Sequence, residues 1–126
     1  MKIENIKFKA KEIGTGKWKV GFLQRDMDYN LCILIANKED HSWYWTQIDP
    51  STVCMFTGLK DCEGKELFEH DVIKNYPFIP SEIVWSEELS GYYLKHANGK
   101  IGGKPLGHYL SLGKFIVVGN KFDNEK

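Results

Sequence analysis

Three cysteines and four histidines carry the readiest chemistry in this chain, and their spacing speaks against most of it. Zinc sites draw ligands from Cys or His pairs at short separation, as in C-x-x-C or H-x-x-x-H. His41, His70, His96 and His108 are each isolated, and Cys54 and Cys62 stand on either side of an expected turn. Cys54 falls in the apolar run Val53 to Phe56 and reads as a small buried hydrophobe, whereas Cys62 belongs in the turn and should be exposed. A thiol nucleophile needs a histidine beside it, and no cysteine has one nearby in sequence. The glycine-rich piece Gly99 to Gly107 lacks the G-x-x-x-x-G-K-[ST] order of a phosphate loop. It reads as a hairpin or loop whose Lys100 and Lys104 can touch an anionic partner. The expectation is a protein that is not an enzyme, with no catalytic residue, no metal and no cofactor.

Aromatic side chains give the stronger signal. Seven Phe, six Tyr and four Trp suit half-buried pleated surfaces better than helices. On a strand around Trp43, the side chains of His41, Trp43 and Trp45 point one way, and those of Tyr44, Thr46 and Ile48 the other. One face meets the core. The other meets solvent, a second sheet or a partner, and exposed Trp and Tyr serve at interfaces and as platforms for single-stranded bases. His41, Trp43 and Trp45 are therefore the candidate binding residues, with Tyr92 or Tyr93 as neighbours across the sheet. The competing reading has both faces covered within the chain.

Strand patterns dominate the elements that would position these residues. Trp18, Val20 and Phe22 alternate with Lys19 and Gly21 after a turn at Gly14-Thr15-Gly16, a half-buried strand pattern. Leu31 to Ile35 is apolar on both faces and reads as a central strand. Trp43 to Ile48 and Val53 to Phe56 follow, separated by Asp49-Pro50. In the second half, Leu67-Phe68 and Val72-Ile73 flank Glu69-His70-Asp71, and Pro77 and Pro80 mark an edge or a loop. Ile83 to Trp85 and Tyr92 to Leu94 form a pair joined by Ser86 to Gly91. Asn98-Gly99 is the strongest two-residue hairpin signal. Leu106 to Leu112 fits a short helical turn or a strand, and Phe115 to Val118 closes the series. The predicted fold is mainly β: small barrel-like, SH3-like antiparallel sheets with short helical or irregular connections. Helix should occupy under about a quarter of residues, below the usual third.

The 126 residues fit one domain spanning 1–126. Basic and acidic residues balance at 17 each, so the bulk attraction that drives most nucleic-acid binding is missing. The charge is uneven along the chain. Residues 1–25 carry a net of +5, residues 26–94 a net of −9, and the last 32 a net of +4. Two basic ends side by side would make one basic face; the plainer reading is solvated surfaces. Arg25 is the only arginine, which leaves little scope for a bidentate phosphate or guanine fork. The charged start is not followed by an apolar segment of the kind a signal peptide needs. The longest apolar run, Leu31 to Ala36, falls far short of the ~18 residues of a membrane helix. An odd cysteine count then points to free thiols in a reducing cytoplasm, and disorder is expected only in the tail from Asn120 to Lys126.

The segment Phe56-Thr57-Gly58-Leu59-Lys60-Asp61-Cys62-Glu63-Gly64-Lys65-Glu66-Leu67-Phe68-Glu69-His70-Asp71-Val72-Ile73 resembles the signature of the YopX family. That signature runs aromatic-T-G-L-K-D-x-x-G-K-E-I-Y-E-G-D-I-V. Val118-Gly119-Asn120-Lys121-Phe122-Asp123-Asn124 resembles the family's closing I-G-N-I-Y-E-N, and Ile6 to Ala10 with Gly16-Lys17-Trp18 its I-K-F-R-A opening and following G-K-W. The motif also has a reading from residue chemistry alone. Asp61 to Gly64 can make a tight turn with Gly64 at positive φ, and Asp71 can cap the next reversal by accepting backbone N–H groups. His70 replaces the family's usual Gly, and His tolerates the left-handed region better than most residues. The resemblance implies phage or prophage origin, a β-rich fold and expression in the cytoplasm of a bacterial host. It carries over no catalytic residue. The expected function is thus a non-catalytic accessory or interaction protein acting on an unknown phage or host protein partner, with a homo-oligomer left open and no membrane association. A weak single-stranded nucleic-acid binder using aromatic stacking is the alternative.

Overall fold

The computed structural model describes residues 2–37, 39–75 and 79–123. Strands account for 47% of the chain and helix for 11%, so the mainly β, antiparallel reading holds and helix stays well under a quarter. The sheets do not close into a barrel. The chain divides into two compact units, Met1–Phe56 and Thr57–Glu125.

The N-terminal unit is an antiparallel meander. After a 3-10 turn at Ile3–Asn5 come β1 (Phe8–Lys11), β2 (Trp18–Arg25), β3 (Leu31–Ala36), β4 (Trp43–Gln47), a second 3-10 turn at Pro50–Thr52 and the start of β5 (Cys54–Lys60). Neighbours run β4-β3-β2-β1-β5. The sheet curls far enough that Ile48, just past β4, bridges Glu12, just past β1. Asp49 N–H donates to the Lys11 carbonyl and Ile13 N–H to the Gln47 carbonyl. Inside the curl lie Ala10, Ile33 and Ile48, all essentially inaccessible, packed by Phe8, Leu23, Leu31, Ile35 and Val53. Glu12 ties the closure further, accepting from the Thr46 and Thr15 hydroxyls. Those two hydrogen bonds hold its carboxyl below the usual carboxylate value. Gly21 is required by space: a Cβ there would stand 2.1 Å from the Leu34 carbonyl oxygen on neighbouring β3.

The C-terminal unit begins in the second half of β5 and adds β6 (Glu66–Phe68), β7 (Asp71–Lys74), β8 (Ser81–Ser86), β9 (Gly91–Lys95), α1 (Leu106–Leu112) and β10 (Ile116–Asn120). Its four-stranded sheet runs β10-β7-β8-β9. Leu67, Ile73, Ile83, Leu94 and Leu106 form the core, and Tyr92, Tyr109, Leu110, Phe115 and Val117 pack around it. The Leu106 to Leu112 segment resolves as helix, with Leu106 its one buried residue. Asn98-Gly99 does lie in a hairpin turn, but one closed by His96 and Lys100 with a loop wider than the two residues expected: Gly99 takes φ +85° while Asn98 stays out of the positive-φ region, its Oδ1 accepting from Lys100 N–H. Pro80 precedes β8 outside any strand, and Pro77 lies outside the described residues.

Two buried carboxylates organise the motif that carries the resemblance. Asp61 Oδ1 accepts from the backbone N–H groups of Glu63 and Lys65, with Gly64 at φ +84° completing the turn. Its Oδ2 accepts from Val117 N–H at 3.0 Å, pinning β10 to a turn 56 residues earlier. Asp71 Oδ2 caps the next reversal through Phe68 N–H, where His70 sits at φ +69°. Asp71 Oδ1 accepts from Asn120 Nδ2 at 2.8 Å, and Asn120 Oδ1 in turn accepts from Phe122 N–H. Asn120 and Phe122 are buried, so the tail is tied down at least as far as Phe122, further than composition suggested.

Burial raises the Asp61 carboxyl, but the N–H groups of Val117, Lys65 and Glu63, with the Lys65 charge, outweigh it and hold the group below the usual aspartate value. A carboxyl with a lowered folded pKa stabilises the fold above its unfolded pKa, and that contribution is lost as pH falls through the folded value. Asp61→Asn should therefore destabilise at neutral pH by about 1–3 kcal/mol, since it weakens the charge-assisted bonds. It should also flatten part of the acid limb. Urea unfolding from pH 7 down to pH 2 checks both; a variant as stable as the parent with the same acid limb would contradict the assignment.

Candidate functional site

Register settles which side chains share a face, because directly opposed residues on neighbouring strands lie on the same side of a sheet. Trp45 opposes Leu34, and Leu34 opposes Phe22. Trp43 opposes Ala36, and Val20 opposes Lys9. These residues occupy the outer side of the curl, opposite the core of Ala10, Ile33 and Ile48. Trp43 and Trp45 keep 59% and 61% of their surface exposed, and Val20 and Phe22 keep 42% each. Phe22, Leu34 and Trp45 thus form an apolar row across β2, β3 and β4, with Val20 and Trp43 on the same side. Lys7, Lys9 and Lys11 border it on β1. Lys9 and Lys11 lie over the Trp18 ring at 4.8 and 5.7 Å, and Lys7 over Phe56 at 4.8 Å.

The strand bearing the tryptophans is also an edge. Asn37 N–H donates to Ser42 and Ile48 N–H to Leu31, which makes the pairs at Tyr44 and Thr46 the hydrogen-bonded ones of the β3–β4 ladder. The N–H and C=O groups of Trp43 and Trp45 consequently point away from β3. Gln47 shares that direction, but its carbonyl is already taken by Ile13. From Ser42 to Ile48 there is no charged residue, so this edge lacks the usual device that blocks strand addition.

Of the sequence-derived candidates, His41 and Trp43 come together. His41, in the left-handed region at φ +59°, flanks a hollow of about 180 Å³ with Trp43, Ala36, Asn37 and Ser42. Trp45 extends the same face. Tyr92 and Tyr93 do not belong to it; they lie on β9 of the C-terminal unit, where Tyr92 opposes Trp85 and the rings meet edge to face at 5.0 Å. Val20, Phe22 and Leu34 were not read as part of the surface. The alternation of Trp18, Val20 and Phe22 marked an apolar face on β2, but the pattern alone does not say which face is inside.

The other chemistry-bearing groups are structurally occupied or apart. Cys32 and Cys54 are buried and Cys62 is exposed, all as free thiols. Burial pushes the Cys32 thiol up, away from reactivity. His70 Nδ1 bonds Glu82 at 2.7 Å, and its ring stacks edge-on against Phe122. Among the described residues no group of three or more His, Cys, Asp or Glu side chains is placed to hold a metal ion.

The exposed tryptophans and the buried Ile48 set contrasting costs. Trp43→Ala and Trp45→Ala should each cost at most about 1 kcal/mol, whereas Ile48→Ala on the inner face should cost about 2–5 kcal/mol. Denaturant unfolding of the three variants decides it. Tryptophan variants as damaging as Ile48→Ala would mean that the outer face is covered.

No helix among the described residues is long and apolar enough to cross a membrane. No curated protein sequence matches the chain. The family model described as YopX protein matches residues 7–126, nearly its whole length. The chain belongs to the YopX family.

Proposed function

We propose that this is a non-catalytic accessory protein of a phage or prophage, acting in the cytoplasm of a bacterial host, that binds a phage or host protein through β4 and the aromatic face beside it. The observation that carries the reading is the pairing of two features at Trp43 and Trp45. Both residues are more than half exposed, and their backbone groups point away from β3, off an edge that no other described strand covers. An extended protein segment laid antiparallel or parallel along β4 would gain backbone hydrogen bonds from that edge and aromatic burial from the face, as in strand addition to other sheets. A second copy of the chain meets the same requirement, and a homo-oligomer through β4 is the simplest form of it. The family's signature residues support a non-catalytic role, since Asp61, Asp71 and Asn120 are spent on backbone and on one another.

Single-stranded nucleic acid is the second reading, favoured by one observation: Lys7, Lys9 and Lys11 lie on the same side as the tryptophans. The balance of charge weighs against it, and the sole arginine is engaged with the Tyr29 carbonyl at 2.8 Å.

Salt separates the two. Phosphate neutralisation releases counterions, so nucleic-acid binding falls steeply as salt rises, while burial of aromatic surface survives or strengthens. Association with itself or with a protein from phage-infected host extract should persist from low to high salt and be lost in Trp43→Ala and Trp45→Ala. Sedimentation and pull-down across the series measure it. Tight binding to single-stranded DNA or RNA that disappears with salt would replace this reading with the second.

A further inference from the structure

A second recess, independent of the aromatic face, lies within the C-terminal unit. It encloses about 410 Å³ between the β8–β9 hairpin, α1 and the segment entering β10, within the range of roughly 300–1,000 Å³ typical of small-molecule sites. Leu94 and Phe115 give it an apolar floor. Its polar groups are Asn75, Ser81, His96, Asn98 and Tyr109, with no Lys, Arg, Asp or Glu among the described lining residues.

Several of these groups have hydrogen-bonding capacity to spare. Ser81 Oγ and His96 Nδ1 are bonded to each other at 3.0 Å, which fixes the imidazole. Asn98 Oδ1 is used by Lys100 N–H, leaving its NH₂ to donate. The Asn75 amide and the Tyr109 hydroxyl make no hydrogen bond among the described residues.

Two glycines make room for those last two groups. A Cβ at Gly113 would stand 2.6 Å from Asn75 Nδ2, and one at Gly102 would stand 2.4 Å from the Tyr109 hydroxyl and 3.3 Å from His96 Nε2. Gly113 sits at φ −157°, extended backbone that any residue adopts, so a side chain there would act by displacing the Asn75 amide.

We infer that this recess binds an uncharged heteroaromatic ring of the nucleobase class. Such a ring is flat and apolar on its faces, matching Leu94, Phe115 and the Tyr109 ring. Its rim alternates donors and acceptors, which the amides of Asn75 and Asn98, the Tyr109 hydroxyl and His96 Nε2 can meet. Asn amides pair with base edges of this kind in nucleic-acid recognition. With no Lys or Arg among the described lining residues, an attached phosphate should add little to the affinity.

NMR titration of the full chain with adenosine, cytidine, adenosine monophosphate and toluene tests this. At least one nucleoside should shift the side-chain amide signals of Asn75 and Asn98 saturably. The monophosphate should bind within about threefold of adenosine, and toluene should leave the amides unmoved. Gly113→Ala, Gly102→Ala and Asn75→Ala should each weaken nucleoside binding by about three- to tenfold, the effect of one neutral hydrogen bond, with the thermal midpoint of Asn75→Ala kept near the parent's. The inference is overturned if neither nucleoside shifts these signals at about 10 mM, if the monophosphate binds tenfold tighter, if toluene alone binds, or if Asn75→Ala binds like the parent.

Discussion

The pleat of the strand governs what the N-terminal unit can offer a partner. Successive side chains of β2, β3 and β4 fall on opposite sides, and only one side can enclose a core. Curling β4 back toward β1, through the Glu12–Ile48 bridge, closes Ala10, Ile33 and Ile48 away from water. The same geometry obliges Val20, Phe22, Trp43 and Trp45 to the outside, whatever their hydrophobicity. That exposure leaves a large apolar surface in water, a cost that makes sense when something covers the surface in use. The edge position of β4 adds, among the described residues, backbone groups directed away from β3 at the same place.

The C-terminal unit answers a different constraint. Its strands are short and its turns tight, and buried backbone N–H groups must find acceptors. Asp61 and Asp71 supply them. Each carboxylate spans a turn with one oxygen and reaches β10 or its end with the other, through Val117 or Asn120. The acidic residues most prominent in the family signature are therefore an architectural device.

Local chemistry was legible in the sequence wherever a residue type has few conformational options. His70 and Gly64 take the left-handed region, Asn98-Gly99 turns a hairpin, and Asp71 caps its reversal, each for reasons confined to a few neighbouring residues. The shared side of Trp43 and Trp45 was legible because period-two alternation is local too, whereas His41 lies before the strand in the left-handed region, where alternation does not apply. What could not be read was anything set by register between distant strands. The membership of Phe22 and Leu34 in the aromatic surface, the reach of Asp61 to Val117, and the placement of Tyr92 and Tyr93 on a different sheet all depend on pairings that no single stretch specifies. Tethering of Asn120 and Phe122 was missed for the same reason, since their partners lie some fifty residues upstream.

The central claim, that Trp43 and Trp45 lie on a free edge, is tested most directly by amide hydrogen exchange along β4. In dilute protein without a partner, the N–H groups of Tyr44 and Thr46 should be protected by β3, while those of Trp43 and Trp45 exchange at nearly the rate of an unstructured peptide. Adding a partner should bring protection to the two tryptophans. Equal, strong protection of all four amides in the dilute, monomeric protein would show that the edge is already occupied within the chain, and the account of this surface would fail.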